Sequence, residues 1–140
     1  MSTEALLSGD LVVAAGVEIL SLVQVTDTHL TGTEVGCLLG MNTARSARGV
    51  IHAALAAESA DCILVTGDIA ADGQPEAYGQ LEALLGTSVP SLWLPGNHDD
   101  VYSHKDRYAP KMKRRLRAKH WDVVMLETQV EGEVGGILST

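Results

Sequence analysis

The chain has only two cysteines, Cys37 and Cys62, far apart and without Cys-x-x-Cys spacing. That argues against a disulfide framework or a cysteine zinc site, so both read as reduced thiols of a cytoplasmic protein. Lysine and arginine are missing before Arg45, and Glu18 and Gln24 interrupt the apolar N-terminal run LVVAAGVEILSLVQV. With no basic leader region and no span of about 20 apolar residues, neither a signal peptide nor a membrane helix is expected. Internal repeats, low-complexity tracts and obvious linkers are also lacking. What remains is 140 residues with 46% hydrophobic content, enough for one domain burying roughly two-thirds of its unfolded surface.

The net charge of -8 hides an uneven distribution. Eight of the ten basic residues lie between Lys105 and Lys119 with a single acid among them, giving that window about +7 and the remainder about -15. Clustered Lys and Arg supply non-specific phosphate affinity. Yet only Tyr108 and Trp121 accompany this cluster, so stacking on single-stranded nucleic acid is not suggested. A solvated helical face over about 108–119, or a lid over a neighbouring cleft, explains the window more simply.

Periodicity supplies the organisation. Residues 18–26, EILSLVQVT, read as a strand ending at Asp27. The Gly-rich TGTEVGCLLG follows, and Asn42 or Thr43 can cap a helix running to about Ser59. Ala47, Val50, Ile51, Ala54 and Leu55 keep the three-four spacing of one buried helix face. A second apolar strand, CILVT, ends at Gly67-Asp68, and Pro75 suits the first turn of a second helix whose face is Tyr78, Leu81, Leu84 and Leu85. A third strand, SLWL, ends at Pro95-Gly96. WDVVMLETQ reads as a fourth strand, and EGEVGGILST as a turn opening a fifth. The last residues carry no stop or cap signal, so residues 1–140 are expected to be a single domain cut short at its C-terminus.

This β-α-β-α-β order with continuous apolar strands predicts an α/β fold with a parallel sheet covered on both faces. Right-handed crossovers then bring the three strand ends to one edge, where ligands of such sheets gather. Three clusters stand at those ends: Asp27 and His29 in TDTHL, Asp68 in TGDIAADG, and Asn97 with His98 in PGNHDD. Taken singly, each has an ordinary structural reading as a loop or turn residue. Their coincidence at one edge points to a metal site. Carboxylate, amide oxygen and imidazole suit manganese, iron or zinc, and magnesium less well. Asp68, on the central link, is the best-placed carboxylate to bridge two ions, and Gly67 and Gly96 permit sharp turns there.

These residues resemble the first three motifs of the calcineurin-like metallophosphoesterases: Asp27-x-His29, Gly67-Asp68 with Gly73 after it, and Gly96-Asn97-His98-Asp99. QVTDTHL, LLGMNT, TGDIAADGQPEAY, WLPGNHDD and TQVEGEVGGILS are further similar in order and spacing to the bacterial class III 3',5'-cyclic AMP phosphodiesterases. The resemblance implies the N-terminal part of a four-layer α/β/β/α sandwich with a two-metal centre. By that pattern Asp27 and His29 bind one ion, Asp68 bridges and Asn97 binds the second. A bridging hydroxide attacks phosphorus while His98 protonates or stabilises the leaving oxygen. Asp99 would orient His98 or a ligand, or else be a solvated turn acid; Asn42 is a further candidate near the substrate.

The departures are specific. The family pattern adds a histidine from a later strand and a closing Gly-His-x-His, and His52, His104 and His120 lie at the wrong positions to replace them. Glu127 stands where the cyclic AMP branch tends to have aspartate, and Gly135 where it often has histidine. The expectation is therefore a cytoplasmic phosphodiesterase acting on a small cyclic nucleotide, with the isolated 140-residue chain weakly active at best. A non-catalytic module on the same fold, or a phosphoesterase acting on nucleic acid, are the alternatives.

Overall fold

The computed structural model describes residues 10–12, 18–57, 59–100, 102–108, 110–118 and 120–138. Three strands, β2 (Leu22–Val25), β5 (Cys62–Thr66) and β6 (Ser91–Leu94), form a parallel sheet in the order β2-β5-β6. Val25 stands opposite Val65, and Thr66 opposite Leu94, so all three strands finish at one edge. The crossovers are α1 (Thr43–Ala57) and α2 (Pro75–Leu85), and a two-residue pair, β3 (Cys37–Leu38) with β4 (Met41–Asn42), precedes α1. The sequence-derived βαβαβ order is what the molecule shows.

Each helix starts where its sequence says. Asn42 accepts a hydrogen bond from the Arg45 N–H through Oδ1 at 2.7 Å, which satisfies one of the donors left over in a first turn. Pro75 occupies the first turn of α2, where its missing N–H costs nothing. The two helices cover one sheet face: Ala47, Ile51, Tyr78, Leu81 and Leu85 are buried with Ile63, Val65 and Trp93. Val50, expected on that face, is 63% exposed, because it lies at the edge of the α1 stripe.

The opposite face is covered by a second sheet. There β1 (Asp10–Val12), β7 (Arg115–Ala118) and β8 (Trp121–Val124) pair in the order β1-β7-β8, parallel between β1 and β7 and antiparallel between β7 and β8. Cys62 and Leu92 of the first sheet meet Leu116, Ala118 and Met125 in a separate apolar layer. Helix, sheet and sheet thus form three stacked layers, as a partial metallophosphoesterase sandwich requires. Within this layer the Cys62 thiol is pushed up to about 11 by burial, which makes it unreactive.

The basic segment corrects the sequence reading. Instead of a helix over 108–119, only α3 (Lys105–Tyr108), after a 3-10 turn at Tyr102–His104, is helical; Arg115–Ala118 is strand β7. RLRA alternates, with Leu116 and Ala118 buried and Arg117 exposed, and that period of two selects a strand over a helix. Its cations also have separate partners: Arg115 pairs with Asp122, while Lys111 and Arg107 reach Glu82 at 3.5 and 3.7 Å. WDVV is a strand, as expected, but it joins the second sheet. The expected fifth strand is reduced, within the described residues, to an antiparallel bridge between Gln129 and Gly136. No described helix is long and apolar enough to cross a membrane.

Candidate metal centre

The site is built from the loops leaving β2, β5 and β6, which interlock beyond the strand ends. The Asp27 N–H donates to the Gly67 carbonyl at 3.0 Å, the His29 N–H to the Asp68 carbonyl at 3.0 Å, and the Leu30 N–H to the Ile69 carbonyl at 2.8 Å. The pairing of the first two strands therefore continues irregularly past the sheet. Asp27, His29 and Asp68 all adopt left-handed backbone, with φ of 54°, 41° and 49°. Such conformations cost of order 1–3 kcal/mol for a residue bearing a Cβ, and they persist where the surroundings over-determine them. Three together at one sheet edge mark a place where side-chain direction outweighs backbone comfort.

That direction is inward. His29 Nε2 lies 3.9 Å from Asp27 Oδ1 and 3.7 Å from Asp68 Oδ2. Ligand atoms of His29, Asp68 and His98 fall within 4.8 Å of one another, and the His29 and His98 rings meet edge to face at 4.9 Å between centroids. His98 arrives from the third loop, where its N–H donates to Asp68 Oδ1 at 3.1 Å and its Nδ1 sits 2.9 Å from the Ala71 carbonyl. A carbonyl only accepts, so Nδ1 carries the proton and Nε2 is left for the cluster. The third loop comes this close because residue 96 is glycine: a Cβ there would collide with the Asp68 backbone nitrogen and carboxylate.

The remaining candidates are Asn97, Asp99 and Asn42. Asn97 is exposed beside His98, and its side chain has no hydrogen-bond partner among the described residues. Asp99 is 6% exposed, so it is not a solvated turn acid. Nor do its oxygens reach His98, which the Ala71 carbonyl orients instead. They accept the Ile69 and Gly96 N–H groups at 3.1 and 2.8 Å and the Ala70 N–H at 2.9 Å, tying the second loop to the third. Burial raises its carboxyl above the usual carboxylate range, and those N–H groups oppose the rise. Both polar ends of Asn42 are engaged in its own loop, the amide donating to the Glu34 carbonyl at 2.7 Å.

Such a crevice, with its motif order and three-layer scaffold, matches a family already described. The calcineurin-like phosphoesterase family matches residues 20–135. The chain belongs to that family. It is 37% identical over 131 residues to the 3',5'-cyclic adenosine monophosphate phosphodiesterase CpdA of Escherichia coli (strain K12), covering 89% of this chain and 48% of that one. The Haemophilus influenzae protein of the same name is 33% identical over 135 residues, with 86% and 46% covered. A 3',5'-cyclic-nucleotide phosphodiesterase of Nostoc sp. is 33% identical over 125 residues, with 86% and 47% covered. The chain thus spans about half the length of the curated relatives it matches.

Members of this family work with divalent ions, and the donor set fits them. Two imidazoles and a carboxylate converge within ligand reach, and Asp27 stands beside His29, a mixture that first-row divalent ions accept. His98, expected to move protons, stands as close to this cluster as the expected ligands do. The sequence reading missed two supporting residues: Ala71, whose carbonyl sets the His98 ring, and Gln129, which reaches the third loop from beyond β8. Ala71 acts through its backbone and has no residue-type signal; Gln129 stands in TQVEGEVGGILS, a stretch similar to the cyclic AMP phosphodiesterases, but its partner lies 30 residues away.

Proposed function

We propose that the protein carrying this chain is a cytoplasmic phosphodiesterase that hydrolyses a cyclic nucleotide, 3',5'-cyclic AMP in particular, with two divalent ions of manganese, iron or zinc. The observation that carries the reading is the convergence of His29, Asp68 and His98, with Asp27 adjoining, at the carboxyl edge of a parallel sheet. The similarity to cyclic-nucleotide phosphodiesterases supports the substrate class.

In this reading Asp27 and His29 would hold one ion, Asp68 would be shared, and Asn97 would serve the second. Bound there, the ions supply Lewis acidity toward the phosphoryl oxygens and lower the pKa of water toward about 7. The chain's own part is positioning and proton transfer. Left-handed backbone at Asp27, His29 and Asp68 turns those side chains into the crevice. His98, its Nδ1 proton committed to the Ala71 carbonyl, presents Nε2 to the site; protonated there, it would give that proton to the leaving oxygen as a water oxygen bonds to phosphorus and the ester P–O bond breaks. Asp99 fixes the two loops relative to each other.

The test is cyclic AMP hydrolysis by the whole protein loaded with manganese, beside its Asp68→Asn variant. Activity that needs the metal and falls by at least about 100-fold in the variant is expected. Equal turnover by both would sink the reading.

A further inference from the structure

The structure assigns to Gln129 the positioning of the Asn97–His98 pair, an inference that rests on the proposed reaction. Asn97 and His98 are the two central residues of a tight turn closed by the Asp99 N–H donating to the Gly96 carbonyl at 3.2 Å. The Gln129 amide spans that turn. Its Nε2 donates to the Gly96 carbonyl at 2.7 Å and to the Asp99 carbonyl at 3.0 Å, the residues at either end of it. One planar group thus clips both ends of the segment presenting the candidate ligand and the candidate acid.

Three features show that the clip is built rather than incidental. Gln129 is itself anchored: it bridges to Gly136, and the Ile137 N–H donates to the Thr128 carbonyl at 2.9 Å. Gly136 passes so near Thr128 that a Cβ there would lie 2.7 Å from the Thr128 carbonyl oxygen. Both protons of the amide are spent on the turn, and Oε1 is left buried without a partner. A buried acceptor without a partner is unfavourable, so the amide's orientation is set by its two donors and not by Oε1. Asp99 holds the N–H side of the same turn through Gly96, and Gln129 holds the carbonyl side. Release of one side lets the turn rotate about the other, which swings the His98 ring relative to Asp68.

The consequence is a leaving-group effect. An alkoxide leaving from a cyclic nucleotide needs its proton in the transition state, whereas p-nitrophenolate departs without help. A displaced His98 therefore damages the first reaction more than the second. The experiment compares the manganese-loaded whole protein with Gln129→Leu, which removes both donors, and Gln129→Lys, which restores donors without the orphaned acceptor. Substrates are cyclic AMP and bis(p-nitrophenyl) phosphate, and amide hydrogen exchange is followed in parallel.

For Gln129→Leu, kcat on cyclic AMP is expected to fall about 10–100-fold with KM within about twofold, and the aryl ester to lose less than about threefold. Gln129→Lys should regain most of the loss. Exchange at the His98 and Asp99 amides should accelerate in Gln129→Leu while Leu64 and Val65 in β5 stay protected. Equal loss on both substrates, no recovery with lysine, or unchanged exchange at His98 and Asp99 overturns the assignment. Wild-type protein inactive on both substrates would overturn the phosphodiesterase reading; the exchange measurement then decides the clip alone.

Discussion

Asp99→Asn should separate a clamp from a catalytic partner. The Asp99 carboxylate takes three backbone N–H groups, from Ile69, Ala70 and Gly96. An asparagine can keep its oxygen where Oδ2 now accepts from Ile69 and Gly96, but its NH2 group then faces the Ala70 N–H. One charge-assisted bond worth about 1.5–3 kcal/mol is lost, and one buried donor is orphaned at about 1–3 kcal/mol. A neutral amide is cheaper to bury than a carboxylate already strained by desolvation, which returns part of that cost. The net is a loss of about 2–4 kcal/mol, or roughly 10 °C in Tm for a chain of this size. Thermal melting followed by circular dichroism reads it directly. A variant melting within about 2 °C of wild type would refute the clamp, since no rearrangement of an amide satisfies all three donors.

Three other outcomes are expected. Gly96→Ala should lose about 1–3 kcal/mol through overpacking against Asp68 and weaken manganese binding at least about tenfold by calorimetry, and unchanged affinity would contradict the close approach. Burial raises the Glu127 carboxyl to about 7. The folded chain therefore holds a proton that the unfolded chain has shed between about pH 4.5 and 7, and stability falls as pH rises through that window. The side chain is only half-buried, so the effect is about 1 kcal/mol after solvent screening, and Glu127→Gln should flatten melting curves compared at pH 5 and pH 8. Leu39, fully exposed with φ 49°, precedes Gly40 with φ 82° in the turn between β3 and β4. Asparagine tolerates that backbone far better, so Leu39→Asn should raise stability by about 1 kcal/mol in chemical denaturation.

The half of the fold in which neighbours in the chain are neighbours in space is legible in residue order alone. Unbroken apolar strands, an Asn42 cap and Pro75 in a first turn dictate two right-handed crossovers, and these bring Asp27, His29, Asp68 and His98 to one edge. Tertiary structure decided the rest, wherever the partner lies far along the chain. RLRA is too short and too basic to declare itself a strand until β1 and β8 flank it and the first sheet buries Leu116. Asp99, open in the sequence between orienting His98 or a ligand and being a solvated turn acid, becomes a clamp once the loop carrying Ile69 and Ala70 folds over it, and Gln129, in a stretch similar to the cyclic AMP phosphodiesterases, gains its role once its amide meets the Gly96 and Asp99 carbonyls. Residue type declares what a side chain can do, but the backbone groups that hold a site together are alike at every position, and only the fold selects which of them meet.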